Sequence, residues 1–461
     1  MRELYSRNRS RASERGAALV LFTLLLLFVL LPVMGLAFDA GMAYFIRSRL
    51  IAATDAAALA GGRSLNVGLD PSTQYANAKA IAMQYFNANF PTGYLGVKNL
   101  SVQPDAHDGP NGTRVVSVQV SATVSLYFSG LFGASTTTLN AYAKTSRRDV
   151  NVMLLLDRSG SMGPVCGTLK ASAESFVDKF TNQRDRVGLI TFMGNANVDY
   201  PSTLNFKDTP SLNSVLDQLV CGGNTGSAAA FGLAQTQFTL PSNPNALLEP
   251  GAMNVVVFFT DGLPNGYTAD YPVAKSSVCN GGPPNTVRGF MSEGPSGLFD
   301  PSVSPMGGQP WIATTRQQYL ILPGCSFPWN LRNDIAYIPD QDLYGNLAWC
   351  SSCYVGATPS VTGSDGNLHL AITETNIDAA SKNAADYAAA MLRKLGIYVY
   401  TIGLGSNGGV DKTLLKRMAN DPSSPIYDSA QPTGLFVYSP NATQLSSAFN
   451  TIASEVLRIS Q

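Results

Sequence analysis

Histidine is nearly absent from this chain, at two residues in 461. That scarcity argues against zinc sites built on imidazole and against Ser–His–Asp chemistry. The two that exist, His107 and His369, lie in polar, loop-like stretches and read as lone surface side chains. Charge is sparse as well: 13% of residues are charged, and acids and bases balance to zero. A neutral chain has no basic footprint for nucleic acid. With 45% hydrophobic residues and so few charges, the surface must be rich in Ser, Thr, Asn and Gly, which suits an extracytoplasmic protein. No nucleophile–base pair, glycoside-type acid pair or phosphate-cradling loop stands out, so the chain does not read as an enzyme.

What is present begins with a long apolar run. Arg2, Arg7, Arg9, Arg11 and Arg15 stand against only Glu3 and Glu14, and then Ala17 to Phe38 carries no charge. Its 22 residues span about 33 Å as a helix, enough for a bilayer core. Pro32 should kink it, as membrane helices tolerate. A cleaved signal peptide is the rival reading, but the run is long for one and no clean small-x-small site follows. Basic residues before it and Asp39 after it place the N-terminus in the cytoplasm and the bulk outside. The helix should continue as a stalk from Asp39. Met42, Phe45, Ile46 and Leu50 make an apolar stripe, and Gly61-Gly62 is a stop signal.

Six cysteines, an even number, all lie in the exterior part, which fits an oxidising compartment. Cys350-Ser351-Ser352-Cys353 has the spacing of a redox motif. It sits in a proline-rich loop without a thioredoxin-like pattern, so a structural bridge is the better reading.

The chemistry concentrates where two buried-strand patterns end. Val150 to Leu156 leads into Asp157-Arg158-Ser159-Gly160-Ser161, and Val255 to Phe259 leads into Thr260-Asp261-Gly262. Between them, Gly222-Gly223-Asn224-Thr225-Gly226 is a Gly-rich loop before a helix-like segment. Two acids and three hydroxyls are hard oxygen donors, suited to Mg²⁺, Ca²⁺ or Mn²⁺. In this order the motifs resemble a von Willebrand factor A domain with its metal-ion-dependent adhesion site, over about residues 149–461. The resemblance implies ligands at Asp157, Ser159, Ser161, Thr225 and Asp261, with the hydroxyls touching the metal (Mg²⁺ first) and the acids often acting through water. It also implies a protein partner that completes the metal with an acidic side chain.

The opening segment resembles a second family. Arg15-Gly16-Ala17-Ala18, Asp39-Ala40-Gly41 and Ile51-Ala52-Ala53-Thr54-Asp55-Ala56-Ala57-Ala58-Leu59-Ala60 are similar to the N-terminus of TadG-type tight-adherence (Flp) pilus assembly proteins. Pilin-like relatives carry a Glu where this chain has Leu21, which argues against a pilin subunit role and against cleavage after Gly16.

Five segments follow, the last with an insertion. Residues 1–16 are a basic cytoplasmic segment, 17–38 the transmembrane helix and 39–62 a helical stalk. Residues 63–148 read as a small α+β unit, with a helix near 74–89, a short strand at 97–102 and longer ones at 115–124 and 137–145. The apolar aromatic run Leu126 to Phe132 between the last two could be core or could rest on the membrane or a partner, and core is the safer reading. Residues 149–461 alternate strands and helices, which implies an α/β, doubly wound, mostly parallel sheet with its site at the carboxyl ends of the strands. Helices are expected at 167–180, 212–220, 228–238, 371–395, 412–419 and 443–459. Residues 263–366 break the rhythm as a long, loop-like insertion. If the two metal loops converge on one ion, Cys166 and Cys221 share one end of the domain and can bridge. The insertion's cysteines then pair most simply as Cys279–Cys325 and Cys350–Cys353.

Three readings of function follow. One is a bacterial inner-membrane, single-pass component of pilus assembly or secretion, with its bulk periplasmic or extracellular. A free-standing adhesin using the same metal site is the second, and a scaffold with a purely structural metal the third.

Overall fold

The computed structural model describes residues 18–66, 70–110, 113–274, 286–292, 298–299, 335–405 and 409–460. The chain divides into two compact units, with the boundary near residue 148.

The first unit opens with one helix, Ala18–Arg63, whose N-terminal part is long and apolar enough to cross a membrane. A wide π-type turn, Leu26–Leu30, ends two positions before Pro32. It accommodates a residue that lacks an N–H and crowds the preceding turn. Beyond the apolar run the same helix joins a second one, Pro71–Asn89, and an antiparallel meander of β1 (Lys98–Asp108), β2 (Thr113–Ser125) and β3 (Thr136–Arg148). Ile46, Leu50, Ala53 and Ala57, at helical spacing, meet Ala82 and Phe86 of the second helix and the alternate residues Val118, Val120, Ala122 and Val124 of β2 in one core. Phe45 is exposed, so the stripe runs through Ile46 without it. The glycine pair does not stop the helix, which reaches Arg63. Both glycines are buried; a Cβ on Gly61 would lie 3.0 Å from Val116, and one on Gly62 2.5 Å from Thr145. Their role is close approach of helix and sheet. β1 is longer than its short apolar signal suggested, because its face alternates exposed and half-buried residues.

One expectation for this unit is overturned. The run from Leu126 to Phe132 is not core: it forms the β2–β3 connection, with Tyr127, Phe128, Leu131 and Phe132 exposed.

The second unit is a doubly wound α/β domain. In chain order its strands begin with β4 (Val150–Asp157), β5 (Arg186–Phe192) and β6 (Ala196–Thr203). A small hairpin of β7 (Thr239–Leu240) and β8 (Asn243–Leu247) precedes β9 (Met253–Thr260). Then come β10 (Gly266–Pro272), β11 (Thr286–Ser292), β12 (Leu298–Phe299), β13 (Val361–Thr362), β14 (Leu368–His369), β15 (Tyr398–Leu404) and β16 (Phe436–Ser439). The main sheet has the order β16-β15-β9-β4-β5-β6, parallel except for the β5–β6 edge pair. Every residue of β4 and β9 is buried, as expected of strands covered on both faces. Their side chains divide by period two. Met153, Leu155, Val256 and Phe258 face helices Ser227–Phe238, Glu374–Lys394 and Lys412–Ala419. Val152, Leu154, Val255 and Val257 face helices Cys166–Val177, Leu212–Leu216 and Leu445–Ile459. Thr373 and Asp411 cap two of these helices through Asn376 and Leu414 amides. The helix from Leu212 ends sooner than the pattern suggested, and the edge strands β6 and β16 carried too little apolar signal to be read.

The insertion is not simply loop where it is described. β10, β11 and β12 make a small antiparallel sheet. It sends Tyr267, Ala269, Tyr271, Met291 and Leu298 into the main core, together with Ile335, Ile338 and Ala348. The buried tyrosine hydroxyls are satisfied by backbone: Tyr271 donates to Tyr267 O (2.7 Å) and Tyr267 to Pro339 O (3.3 Å). His369 corrects another reading. It is buried between the Asp340 (2.9 Å) and Asp365 (3.0 Å) carboxylates and stacked on Tyr337. Burial alone would depress its pKa, but the two carboxylates outweigh burial and hold it above the ordinary value.

Cys166 and Cys221 form a disulfide with Cα atoms 6.1 Å apart, and Cys350 bridges Cys353. The expected Cys279–Cys325 pair lies outside the described residues.

Candidate metal centre

β4 and β9 are neighbours in parallel register, Leu156 opposite Phe259. Asp157 and the Thr260-Asp261 pair therefore emerge side by side at the carboxyl edge of the sheet. Asp157 is fully buried; its carboxylate accepts from the Ser159 amide (2.8 Å) and from the Thr260 hydroxyl (2.6 Å). The Ser161 hydroxyl donates to Asp261 Oδ1 (2.7 Å) and lies 3.2 Å from the Ser159 hydroxyl. Four of the five expected residues are thus joined by direct contacts.

Thr225 arrives on the third loop. Two main-chain bonds clip that loop to the first: Gly222 N–H to Arg158 O (2.6 Å) and Gly160 N–H to Gly223 O (2.8 Å). Gly223 sits at φ +93°, a left-handed turn that glycine adopts freely. On its other side Thr225 exchanges bonds with Asn265, N–H to Oδ1 at 2.8 Å and O from the Asn265 amide at 3.0 Å. The Thr225 hydroxyl lies 3.8 Å from the place a Cβ on Gly262 would occupy. The five residues therefore cluster at one end of the sheet. Asp157, Ser159, Thr225 and Asp261 are buried, while Gly160 and Ser161 are exposed, so the cluster opens to solvent on the Ser161 side.

The electrostatics show what the cluster lacks as a bare protein. Burial first, and then the neighbouring Asp261 charge, push Asp157 up to about 7, against the pull of the Thr260 and Ser159 hydrogen bonds. Two carboxylates enclosed this closely oppose each other's ionisation. A divalent cation would resolve that conflict, and the donors are all hard oxygens, so the residues fit such an ion. Asp157, Ser159, Ser161, Thr225 and Asp261 could hold it.

Three supporting residues were invisible as site residues in the sequence. Thr260 was passed over for Asp261, although alternation along a strand points the two to opposite sides. Asn265 lies in what read as insertion. Arg158, the variable position of the first motif, is fully buried. Its amide donates to Phe192 O (2.9 Å) and its guanidinium to Val220 O (2.9 Å). Burial lowers its pKa to about 10, opposed by the charge of Asp199. Arg158 thereby ties the Asp157–Ser161 loop to β5 and to the approach of the threonine loop.

Two family models match separate parts of the chain. A family model for the von Willebrand factor type A domain matches residues 152–263, a span that contains all five candidate residues. A Flp pilus-assembly TadE/G-like model matches residues 16–64. The chain therefore carries a TadE/G-like segment at its N-terminus, followed by a von Willebrand factor type A domain. No curated protein matches it. Among solved structures, the pilus adhesin SpaC from Lactobacillus rhamnosus GG (open conformation) is 13% identical, covering 78% of this chain and 34% of that one, with a TM-score of 0.36. The vWF domain of the type V pili tip protein Mfa5 from Porphyromonas gingivalis is 16% identical, covering 68% and 97%, with a TM-score of 0.37. The PilB minor pilin from Streptococcus sanguinis is 13% identical, covering 79% and 80%, with a TM-score of 0.35. The chain spans about a third of the length of the first of these. The fold assignment rests instead on the strand order and the family match.

Proposed function

We propose that this chain is a membrane-anchored, extracytoplasmic, metal-dependent protein-binding component of Flp-type pilus assembly or secretion. The observation that carries the reading is the convergence of Asp157, Ser159, Ser161, Thr225 and Asp261 at a solvent-open edge, in a chain whose N-terminus matches the TadE/G-like model. Residues 17–38 cross the bacterial inner membrane, arginines inside, and the rest lies outside.

Held at the cluster, a divalent cation would supply a Lewis-acidic site that a carboxylate of a partner protein could complete. The chain's own residues do the rest. Ser159, Ser161 and Thr225 offer hydroxyls, Asp157 and Asp261 balance the charge, and Arg158 with the Cys166–Cys221 bridge holds the loops in place. The exposed Ser161 side is the direction from which a partner enters.

The test is retention of envelope proteins on the immobilised full chain. A partner should be held in Mg²⁺, released by chelator, and not held by Asp261→Ala. Retention indifferent to both chelator and substitution would leave the metal at most a structural role. A partner found only among host-surface proteins would favour the free-standing adhesin.

A further inference from the structure

The connection between β2 and β3 places Tyr127, Phe128, Leu131 and Phe132 in the open, exposed by 69%, 41%, 80% and 65%. A cluster of this kind on a water-facing loop marks an interaction site. What the loop rests on indicates which kind. One carboxylate holds its backbone against the long helix: Asp39 accepts from the amides of Tyr127 (3.0 Å), Phe128 (2.9 Å) and Ser129 (2.6 Å) and from the Ser129 hydroxyl (2.8 Å). One turn earlier, Gly35 leaves the helix backbone bare, and a Cβ there would lie 2.4 Å from the Phe128 ring. The Phe38 ring meets Phe128 edge-on at 6.1 Å. Gly35, Phe38 and Asp39 share one helix face by their spacing. The loop tip is closed by the turn Ser129–Phe132 and by Gly133 at φ +90°.

Depth follows from helix geometry. At about 1.5 Å per residue from Ala18, Gly35 lies roughly 26 Å along the helix and Asp39 roughly 32 Å. A hydrocarbon core is about 30 Å thick. The loop is therefore fixed to the helix where acyl chains give way to headgroups, the level at which amphipathic aromatic side chains are favoured. Residues 126–133 carry no charge, so contact there would depend on apolar burial and not on anionic lipid.

We propose that the 126–132 loop is a second membrane contact. Tyr127, Phe128, Leu131 and Phe132 enter the interfacial layer of the extracytoplasmic leaflet beside the helix, and Asp39 is the clamp that holds them there. The inference rests on the reading of residues 17–38 as a membrane span. Two points of contact fix the tilt and rotation of the first unit on the bilayer, where a lone helix would leave both free.

The experiment uses the full chain in phosphatidylcholine liposomes whose lipids are brominated at shallow or deep acyl positions. Phe132→Trp and Leu131→Trp add a fluorophore at exposed loop positions, which spares the fold, and Leu27→Trp adds one in the span; the native tryptophan signal is subtracted. The added emission of both loop variants should be blue-shifted and mostly lost to shallow bromines, and that of Leu27→Trp mostly lost to deep ones. Anionic lipid should not change this. Loop variants unquenched beside a quenched Leu27→Trp would overturn the loop contact and leave the span standing. Blue-shifted but unquenched loop emission would mean that protein, not lipid, covers the loop, and would overturn it too. No quenching at any position would overturn both the span and the contact.

Discussion

Removing the Cys166–Cys221 bridge lowers the stability of the second unit by about 4 kcal/mol, the loss chain-entropy reasoning gives for a closed loop of this length. The bridge joins residues 55 apart in sequence. It links the start of helix Cys166–Val177 to the approach of the threonine loop. Without it, the Gly222–Arg158 and Gly160–Gly223 main-chain bonds hold that loop to the first one. Each contributes only about 1 kcal/mol net. The double variant Cys166→Ser/Cys221→Ser should therefore melt roughly 6 °C lower than the parent. It should also bind divalent cations more weakly, because Thr225 is held less firmly against the cluster by these main-chain bonds alone. Thermal unfolding of parent and variant side by side measures the first effect. Equal melting temperatures would show that the bridge constrains nothing the fold does not already constrain.

Chelation produces the second large effect, and its size depends on pH. Asp157 has an ordinary value of 3.8 and is raised to about 7 in the fold, by burial and then by Asp261. A carboxyl whose folded pKa is raised binds its proton more tightly folded than unfolded. Without metal, the penalty from this group is absent below about pH 4, grows as pH rises, and is complete above about 7, at no more than about 4 kcal/mol. A divalent cation held by these residues would offset it. Chelator should thus lower the melting temperature markedly at pH 8 and little at pH 5, where the proton already does the cation's work. Asp157→Asn removes both the charge conflict and a ligand. Its melting temperature should respond to neither Mg²⁺ nor chelator at either pH, and a response of parental size would place the cation elsewhere.

Much of the second unit was legible because its signals are local and strong. Val255–Phe259 is an unbroken apolar run and Val150–Leu156 is interrupted only by Asn151; short uncharged runs of this kind, ended by turn residues, fit strands buried on both faces. The acids that end them mark the sheet's carboxyl edge, and placing two loops there was enough to pair Cys166 with Cys221. Signals that depend on a partner were not legible. Leu126–Phe132 has the composition of core, and composition cannot distinguish protein interior from lipid. The burial of Arg158 was not legible because its acceptor, Val220 O, lies 62 residues away in sequence. Tyr267, Ala269 and Tyr271 do alternate, but the glycine and proline around them masked the period of β10. His369 read as a surface residue because Asp340, one of the two carboxylates that enclose it, is 29 residues distant.

The measurement that bears most directly on the metal site is titration of the full chain with Mn²⁺, a paramagnetic hard cation suited to oxygen ligands. Free ion is read by electron paramagnetic resonance at pH 8. The account predicts one tight Mn²⁺ per chain, displaced by Mg²⁺, weakened as pH falls through about 7 because the proton competes for Asp157, and absent in Asp157→Asn. A parent chain that binds no Mn²⁺, or a variant that binds it as the parent does, would contradict it.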